Sequence, residues 1–263
     1  MSNYESSAEQ PPADGYGGPP APPPPPAPPQ GGGGYSASTA WTYGWNKFTA
    51  NLGSILLAVI VLVAATLVIQ GIGYFVGRAV ACDPEVTVTG TTIKTNDCGG
   101  ILTASNMVSW VFSLISWIVQ MIIGAGIVRG ALAIVEGRAF DPKILLTPYR
   151  LGEVVVASLI TGVLTFLGFF ACIIGAFVVA FFTSFTLYFL MDREDLGAWD
   201  AVKASFQFTK DHAGEVIVWF LLALVTYIVG ACLCGVGLIA AVPVIIIGTA
   251  YTYKTLTGQA VAA

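Results

Sequence analysis

The sequence predicts an all-α membrane protein with six transmembrane helices, arranged as three helical hairpins. Its 263 residues are 56% hydrophobic and only 10% charged, whereas soluble domains carry roughly 25% charged residues. Two stretches, Val154–Met191 and Val216–Tyr253, each run 38 residues without a charged side chain. One helical crossing takes about 20 apolar residues, so each stretch has the length of two crossings joined by a tight turn.

The two charge-free stretches match each other at an offset of 62 residues. Two short motifs recur: Gly152-Glu153-Val154 as Gly214-Glu215-Val216, and Gly168-x3-Cys172-x2-Gly175 as Gly230-x3-Cys234-x2-Gly237. The match predicts an internal repeat, residues 140–191 and 202–253, within a membrane domain that covers residues 39–263. A first unit of the same layout precedes the two.

Residues 1–38 form a low-complexity tail that holds 11 of the 15 prolines. Such a segment has few apolar side chains to bury, so we expect a disordered cytoplasmic tail. Tyr4, Tyr16 and Tyr35 are spaced through it. They could contact membrane or envelope protein partners or promote self-association; the other interpretation is a solvated tail with no single partner.

The first unit is predicted to open with a short amphipathic helix from about Thr39. Four apolar residues share one side of it: Trp41, Trp45, Phe48 and Leu52. This helix is expected to lie in the membrane interface and to lead into a first span within Leu52–Tyr74. A polar loop follows, residues 82–100, where alternation about Gly90 predicts a small β-hairpin. The second span begins near Ala104.

The other four spans fill the two charge-free stretches. Spans three and four turn near Phe169–Ile173, and spans five and six turn near Cys232–Gly237. A second interfacial helix, Leu196–Thr209, is predicted between the hairpins. One of its sides carries Trp199, Val202 and Phe206.

The distribution of basic residues predicts the orientation. Of 11 Lys and Arg residues, only Arg78 and Lys94 lie on the side of the polar loop. The positive-inside bias places both termini in the cytoplasm and the β-hairpin loop on the extracytoplasmic side of an inner or plasma membrane. Cys82 and Cys98 in that loop would then meet an oxidising compartment, where we expect a disulfide.

The remaining cysteines lie at the turns of the two matching hairpins. A second disulfide from Cys172 to Cys234, or to Cys232, would tie the repeats together. The alternative is three buried thiols that pack as small apolar groups.

The second span carries one polar stripe, defined by the spacing 3, 4, 3, 4: Asn106, Ser109, Ser113, Ser116 and Gln120. Polar side chains in lipid are expensive, so we expect the stripe to face water or other helices. It either lines a path for a solute or lipid headgroup or forms a packing seam. Glu153 and Glu215 begin spans three and five; they either complement the helix dipoles or guard a cytoplasmic vestibule.

No motif of a common catalytic site occurs in the chain, such as G-x-S-x-G, H-E-x-x-H or a Walker sequence. His212, the only histidine, is interpreted as an interfacial residue. The sequence therefore predicts a non-enzymatic protein without a cofactor or metal, and the absence of a basic cluster disfavours nucleic acid. We expect an accessory or scaffolding component of the cell envelope; the alternative is a small-solute or lipid transporter that uses the polar stripe.

The segment Gly126-Ile127-Val128-Arg129-Gly130-Ala131-Leu132, then Gly137 and the paired hairpins, resembles a broad family of bacterial six-helix membrane proteins. That family is similar to the membrane domain attached to some glycerophosphodiester phosphodiesterases. The Pro/Gly/Tyr-rich leader resembles that of actinobacterial proline- and glycine-rich transmembrane proteins. The resemblance implies the six-helix layout over residues 39–263 and, because no phosphodiesterase domain is present, no enzymatic role.

Overall fold

The computed structural model describes residues 34–81, 86–89, 92–95, 103–140, 143, 147, 149–171, 173–233 and 235–263. Within them, six helical segments are long and apolar enough to cross a membrane, as the sequence predicts. These segments are Leu52–Ala79, Ser105–Val135, Leu151–Phe170, Ile174–Asp192, Ala213–Cys232 and Leu238–Leu256. The protein is therefore a multi-pass helical protein suited to a lipid bilayer.

Nine α-helices are present in the described residues. They are α1 (Ala37–Ala50), α2 (Leu52–Ala79), α3 (Ala104–Val135), α4 (Leu151–Ala171), α5 (Ile173–Thr183), α6 (Thr186–Asp192), α7 (Ala198–Asp211), α8 (Ala213–Cys232) and α9 (Leu238–Leu256). α2 with α3, α4 with α5 and α6, and α8 with α9 form three antiparallel hairpins. We refer to them as units one, two and three.

The repeated glycines hold two of these hairpins closed. A Cβ on Gly175 would lie 2.5 Å from the carbonyl oxygen of Gly168, and a Cβ on Gly237 would lie 2.7 Å from that of Gly230. Real Cβ atoms do not approach a backbone oxygen so closely, so only glycine fits at either crossing. The small-residue motif thus places the two helices of each hairpin in direct backbone contact.

The second long helix of unit two is interrupted, which the sequence analysis does not predict. α5 ends at Thr183 and α6 begins at Thr186. At the interruption the Ser205 hydroxyl donates to the Phe182 carbonyl oxygen at 2.8 Å and accepts from the Phe185 backbone N–H at 3.2 Å. A buried side chain of α7 thereby satisfies backbone groups that the broken helix leaves without partners.

α1 packs into the bundle mainly through small residues, a contact that the sequence does not predict. Its buried residues are Ala37, Ala40, Gly44 and Phe48. Trp45 and Leu52, on the predicted stripe, are exposed. A Cβ on Gly44 would lie 2.6 Å from the Val244 carbonyl oxygen, so α1 crosses α9 almost backbone to backbone. Trp41 lies beside this crossing and donates to the Thr226 hydroxyl on α8 at 3.0 Å.

α7 likewise packs on the protein through a side other than its predicted apolar stripe. The predicted apolar side pairs Val202 with Trp199 and Phe206, but the latter two are exposed. The buried side consists of Ala198, Ala201, Val202, Ser205, Phe208 and Thr209. Each short helix therefore packs mainly through small side chains and one buried phenylalanine, Phe48 or Phe208, as tight helix packing in membranes favours.

The folded body begins before the predicted boundary at residue 39. Tyr35 is half-buried, and its hydroxyl lies 2.9 Å from the Thr252 hydroxyl of α9. Residues 35–38, assigned from the sequence to the tail, are thus part of the helical body. Residues 1–33 lie outside the described residues, and with them the predictions for Tyr4 and Tyr16.

Two short strands lie in the loop between α2 and α3. β1 (Val86–Thr89) and β2 (Thr92–Thr95) pair antiparallel, with Val86 opposite Thr95 and Thr89 opposite Thr92. The pairing falls on the segment whose alternation predicts a hairpin. The turn residues Gly90 and Thr91 lie outside the described residues.

Candidate functional site

The predicted polar stripe lies mainly on the outer surface of α3. Asn106, Ser109, Ser113 and Gln120 are exposed, and only Ser116 is buried. The Ser109 hydroxyl donates to the Ser105 carbonyl oxygen at 2.8 Å, a bond within its own helix. The buried Ser116 hydroxyl has no hydrogen-bond partner among the described residues. The structure thus keeps the five residues on one helix and brings four of them to the outer surface of the chain.

The two predicted vestibule acids have different surroundings. Glu153 accepts a hydrogen bond from the Ala198 backbone N–H at 2.6 Å, so it caps the N-terminus of α7. Glu215 is exposed in the first turn of α8. Burial raises the pKa of Tyr35 to about 12, and the negative charge of Glu215 contributes to this rise. Each acid therefore lies near the start of a short helix, Glu153 at α7 and Glu215 near α1.

The predicted disulfides lie outside the described residues. Cys82, Cys98, Cys172 and Cys234 all fall there. Cys232 is described, and it is a free, exposed cysteine, so the alternative of three buried thiols is corrected at that position.

A buried ion cluster, which the sequence analysis did not identify, joins the ends of three helices. The side chain of Lys254 at the end of α9 is only 4% exposed. Its ammonium group donates to Asp192 at the end of α6, to Glu136 after α3 at 2.9 Å, and to Gln259 at 2.6 Å. All three ammonium protons thereby have acceptors, which a buried lysine requires.

Asp192 is satisfied as completely as Lys254. Its second carboxylate oxygen accepts from the Tyr253 hydroxyl at 2.9 Å and from the Gln259 amide at 2.8 Å. Glu136 also binds the exposed guanidinium of Arg138. Burial alone would raise the pKa of Glu136, but the hydrogen bonds from Lys254 and Arg138 outweigh it, so the pKa lies below its usual value.

The last residues of the chain close over this cluster. The Ala262 backbone N–H donates to the Val135 carbonyl oxygen at 2.9 Å, and the Tyr43 hydroxyl donates to the Ala262 carbonyl oxygen at 2.9 Å. Together with Gln259, these bonds tie α1, α3 and α6 to the segment that follows α9. The cluster is therefore a junction of all three units.

A polar cavity of about 260 Å³ lies beside the cluster, lined by Arg129, Glu136, Arg138, Tyr149, Asp192 and Glu194 among others. The Arg129 guanidinium lies over the Tyr149 ring, 4.0 Å from its centroid. The Tyr149 hydroxyl donates to Glu194 at 2.5 Å, and this bond raises the pKa of Tyr149. One nitrogen of Arg129, Nη1, is buried without a hydrogen-bond partner among the described residues.

Two other cavities lie between spans. One of about 290 Å³ is lined by apolar side chains of α2, α3 and α9, including Leu62, Ile127 and Pro243. The other, about 710 Å³, lies between α4 and the α5–α6 pair and carries hydroxyl side chains such as Thr161, Thr165 and Thr183. None of these three cavities is lined by a residue of the polar stripe.

A signal for the ion cluster is present in the sequence. The offset of 62 that relates the repeats also relates Asp192 to Lys254. Opposite charges therefore end the two matching stretches, at positions that symmetry-related hairpins bring together. For the predicted orientation, Lys254 counts only as one of the nine basic residues on the cytoplasmic side.

Three mycobacterial proteins are similar to this chain. Uncharacterized protein Mb2590 of Mycobacterium bovis and Uncharacterized protein MT2637 of Mycobacterium tuberculosis are each 32% identical to it over 228 residues. Uncharacterized protein Rv2560 of Mycobacterium tuberculosis is 31% identical over the same length. Each match covers 85% of this chain and 69% of the relative. No family model and no solved structure matches the chain.

Proposed function

The chain belongs to the family of these mycobacterial proteins, and we propose that it is a non-enzymatic scaffold of the plasma membrane. In this proposal it is an accessory component of the cell envelope whose helical body associates laterally with a second copy. The observation that carries the proposal is the outward position of the polar stripe. Exposed polar side chains on a membrane span, here Ser113 and Gln120, are costly in lipid and gain when another helix covers them.

A second copy is the occupant that the chemistry of the stripe favours. Serine hydroxyl and glutamine amide groups each donate and accept hydrogen bonds, so a stripe made of them complements itself. Copies inserted in the same orientation can pair about a twofold axis normal to the membrane, which brings each residue of the stripe next to its own counterpart. Such an isologous contact needs no further partner.

The finer topology forms part of the same proposal. Both termini lie in the cytoplasm, and the loop with β1 and β2 lies outside, because the basic residues concentrate on one side. Cys82 and Cys98 form a disulfide there, and the N-terminal tail contacts envelope proteins. The likeness to the membrane domain of glycerophosphodiester phosphodiesterases is retained only as a hypothesis about layout.

Two differently tagged copies, expressed together and extracted in mild detergent, test the association. Changing Ser113 and Gln120 to leucine should lower the amount of the second copy that is retained by about tenfold. That corresponds to two interhelical hydrogen bonds of roughly 0.6–1 kcal/mol each. Val111→Leu with Ile118→Leu is the matched control, since both residues are exposed on α3 but lie off the stripe. Equal retention by all three proteins would contradict the proposal.

The alternative, transport along the stripe, predicts a different result. Proteoliposomes would then show glycerol uptake or scrambling of a fluorescent phospholipid, and the two leucines would abolish it while leaving the copies associated. A scaffold shows neither activity above protein-free vesicles.

A further inference from the structure

We infer that the polar cavity beside the ion cluster binds a singly charged phosphate group through Arg129. The inference is independent of the scaffold proposal, because the cavity lies away from the polar stripe. Its strongest support is the buried Nη1 of Arg129, which has no acceptor among the described residues. A guanidinium N–H that is removed from water without an acceptor is costly, so a ligand oxygen at this point would be favoured.

The acids in the cavity lining already have partners. Asp192 is bound by Lys254, Tyr253 and Gln259, as described above. Glu136 is bound by Lys254 and Arg138. Among the charged groups of the lining, Arg129 differs because its buried Nη1 has no hydrogen-bond partner among the described residues.

Tyr149 keeps Glu194, the remaining acid of the lining, from pairing with Arg129. Its ring lies against the guanidinium at 4.0 Å, while its hydroxyl holds Glu194 at 2.5 Å. The stacking orients the planar guanidinium and leaves its edge to hydrogen-bond a ligand, as arginine does with phosphate and carboxylate oxygens.

The location and the charge of the lining define the ligand. Arg129 lies six residues before the end of α3, which is roughly 9 Å along the helix axis and close to where lipid phosphates lie. Glu136, Asp192 and Glu194 in the same lining disfavour a second negative charge. A phosphodiester, which carries one negative charge, therefore suits the cavity better than a phosphate dianion.

The experiment measures the thermal stability of the full chain in detergent against three probes. These are dioleoyl phosphatidylglycerol, dioleoylglycerol as the lipid without phosphate, and inorganic phosphate. We expect a saturable rise in Tm with phosphatidylglycerol and none with dioleoylglycerol. A rise with inorganic phosphate at similar concentration would identify free phosphate, rather than a lipid headgroup, as the source of the ligand.

Three variants assign the effect to the cavity. Arg129→Gln should weaken phosphatidylglycerol binding roughly tenfold or more, the effect of losing one charge-assisted hydrogen bond. Lys203→Gln removes one positive charge from a side chain that is 60% exposed and outside the cavity lining, so it is the matched control and should bind as the wild type does. Tyr149→Phe should also weaken binding, because Glu194 is then released to compete for Arg129.

The Tyr149→Phe variant keeps every charge of the site, so it tests the inference even if Arg129→Gln fails to fold. Equal Tm responses of the wild type, Arg129→Gln and Tyr149→Phe to phosphatidylglycerol would overturn the inference. So would an equal response to dioleoylglycerol. Loss of phosphate binding with intact self-association would separate this site from the scaffold role.

Discussion

Units two and three have the same hairpin design but differ in how a short helix braces each of them. α7 lies on unit two and α1 lies on unit three. Ser205 is the eighth residue of α7 and meets the carbonyl oxygen of Phe182; Gly44 is the eighth residue of α1 and meets that of Val244. Phe182 and Val244 are themselves related by the repeat offset of 62. At the equivalent crossing, α7 therefore contacts unit two through a serine hydroxyl, and α1 contacts unit three through a glycine.

The difference explains why one helix breaks and the other continues. The Ser205 hydroxyl supplies an acceptor and a donor, so the backbone between α5 and α6 can leave helical geometry without losing hydrogen bonds. Gly44 offers only close approach, and α9 runs unbroken from Leu238 to Leu256 past Pro243. Interruption of a membrane helix therefore depends on whether a neighbouring side chain satisfies the freed backbone.

The largest expected effect comes from removing the positive charge of Lys254, which unit three carries where unit two carries Asp192. Lys254→Met leaves Asp192, 10% exposed, and Glu136 without their buried cation. We expect a loss of about 3–5 kcal/mol in the free energy of unfolding, measured by thermal or denaturant unfolding in detergent.

Exchange of the two charges sharpens that test. Asp192→Lys with Lys254→Asp keeps the pair that relates units two and three, but places an acid beside Glu136. Partial recovery relative to Lys254→Met is the expected result. No recovery at all would show that the two ends are not interchangeable.

The next largest effect is expected at the glycine that closes each hairpin, a feature that units two and three share. Gly175→Ala and Gly237→Ala each place a Cβ against a backbone oxygen, so each should cost about 1–3 kcal/mol through overpacking. Gly71→Ala is the control, because nothing lies within 4 Å of the added carbon. Unfolding curves of the three variants decide the matter, and a neutral Gly237→Ala would break the equivalence of the hairpins.

A similar or smaller effect is expected at the brace of unit two. Ser205→Ala removes the partner of the Phe185 N–H and the Phe182 carbonyl oxygen, which should cost about 1–3 kcal/mol. Hydrogen exchange should speed up at Phe185, the residue just before α6, while α9 remains as protected as in the wild type. Equal changes in both units would argue against a local role for the hydroxyl.

The smallest expected effect is the pH dependence of stability that Glu136 contributes at the end of unit one. Because the pKa of Glu136 is lowered from its usual value of 4.5, its ionised form stabilises the fold above that value. This contribution is lost as pH falls through the lowered pKa. The stability difference between the wild type and Glu136→Gln should therefore be constant near neutrality and shrink below about pH 4.5. A difference that does not change with pH would contradict the assignment.

The spans and hairpin turns could be predicted from the sequence because run length and charge determine them directly. α8 and α9 flank the turn predicted near Cys232–Gly237, and α3 begins at Ala104 as predicted. Which side of a short helix packs inward could not be predicted from hydrophobicity, because lipid solvates large apolar side chains as well as a protein core does. Trp45 therefore remains outside while Gly44 is buried.

The ion cluster was missed for a related reason. A single lysine at the end of a span is typical of a solvated rim residue, and only three-dimensional contact distinguishes Lys254 from Lys210, which is exposed. The repeat offset of 62 pairs Asp192 with Lys254 as it pairs the glycines. The position of Arg129 above Tyr149 has no comparable signal, because the contact depends on the path of the connection between α3 and α4.

Disulfide cross-linking in native membranes tests the proposed lateral contact most directly. Ser113→Cys and Val111→Cys each add one exposed cysteine to α3 in an otherwise identical chain, and the parent chain gives the background. Because a twofold contact brings Ser113 next to its own counterpart, mild oxidation should convert Ser113→Cys to a covalent dimer and leave Val111→Cys at background. No dimer from Ser113→Cys, or equal dimer from both variants, would contradict the scaffold proposal.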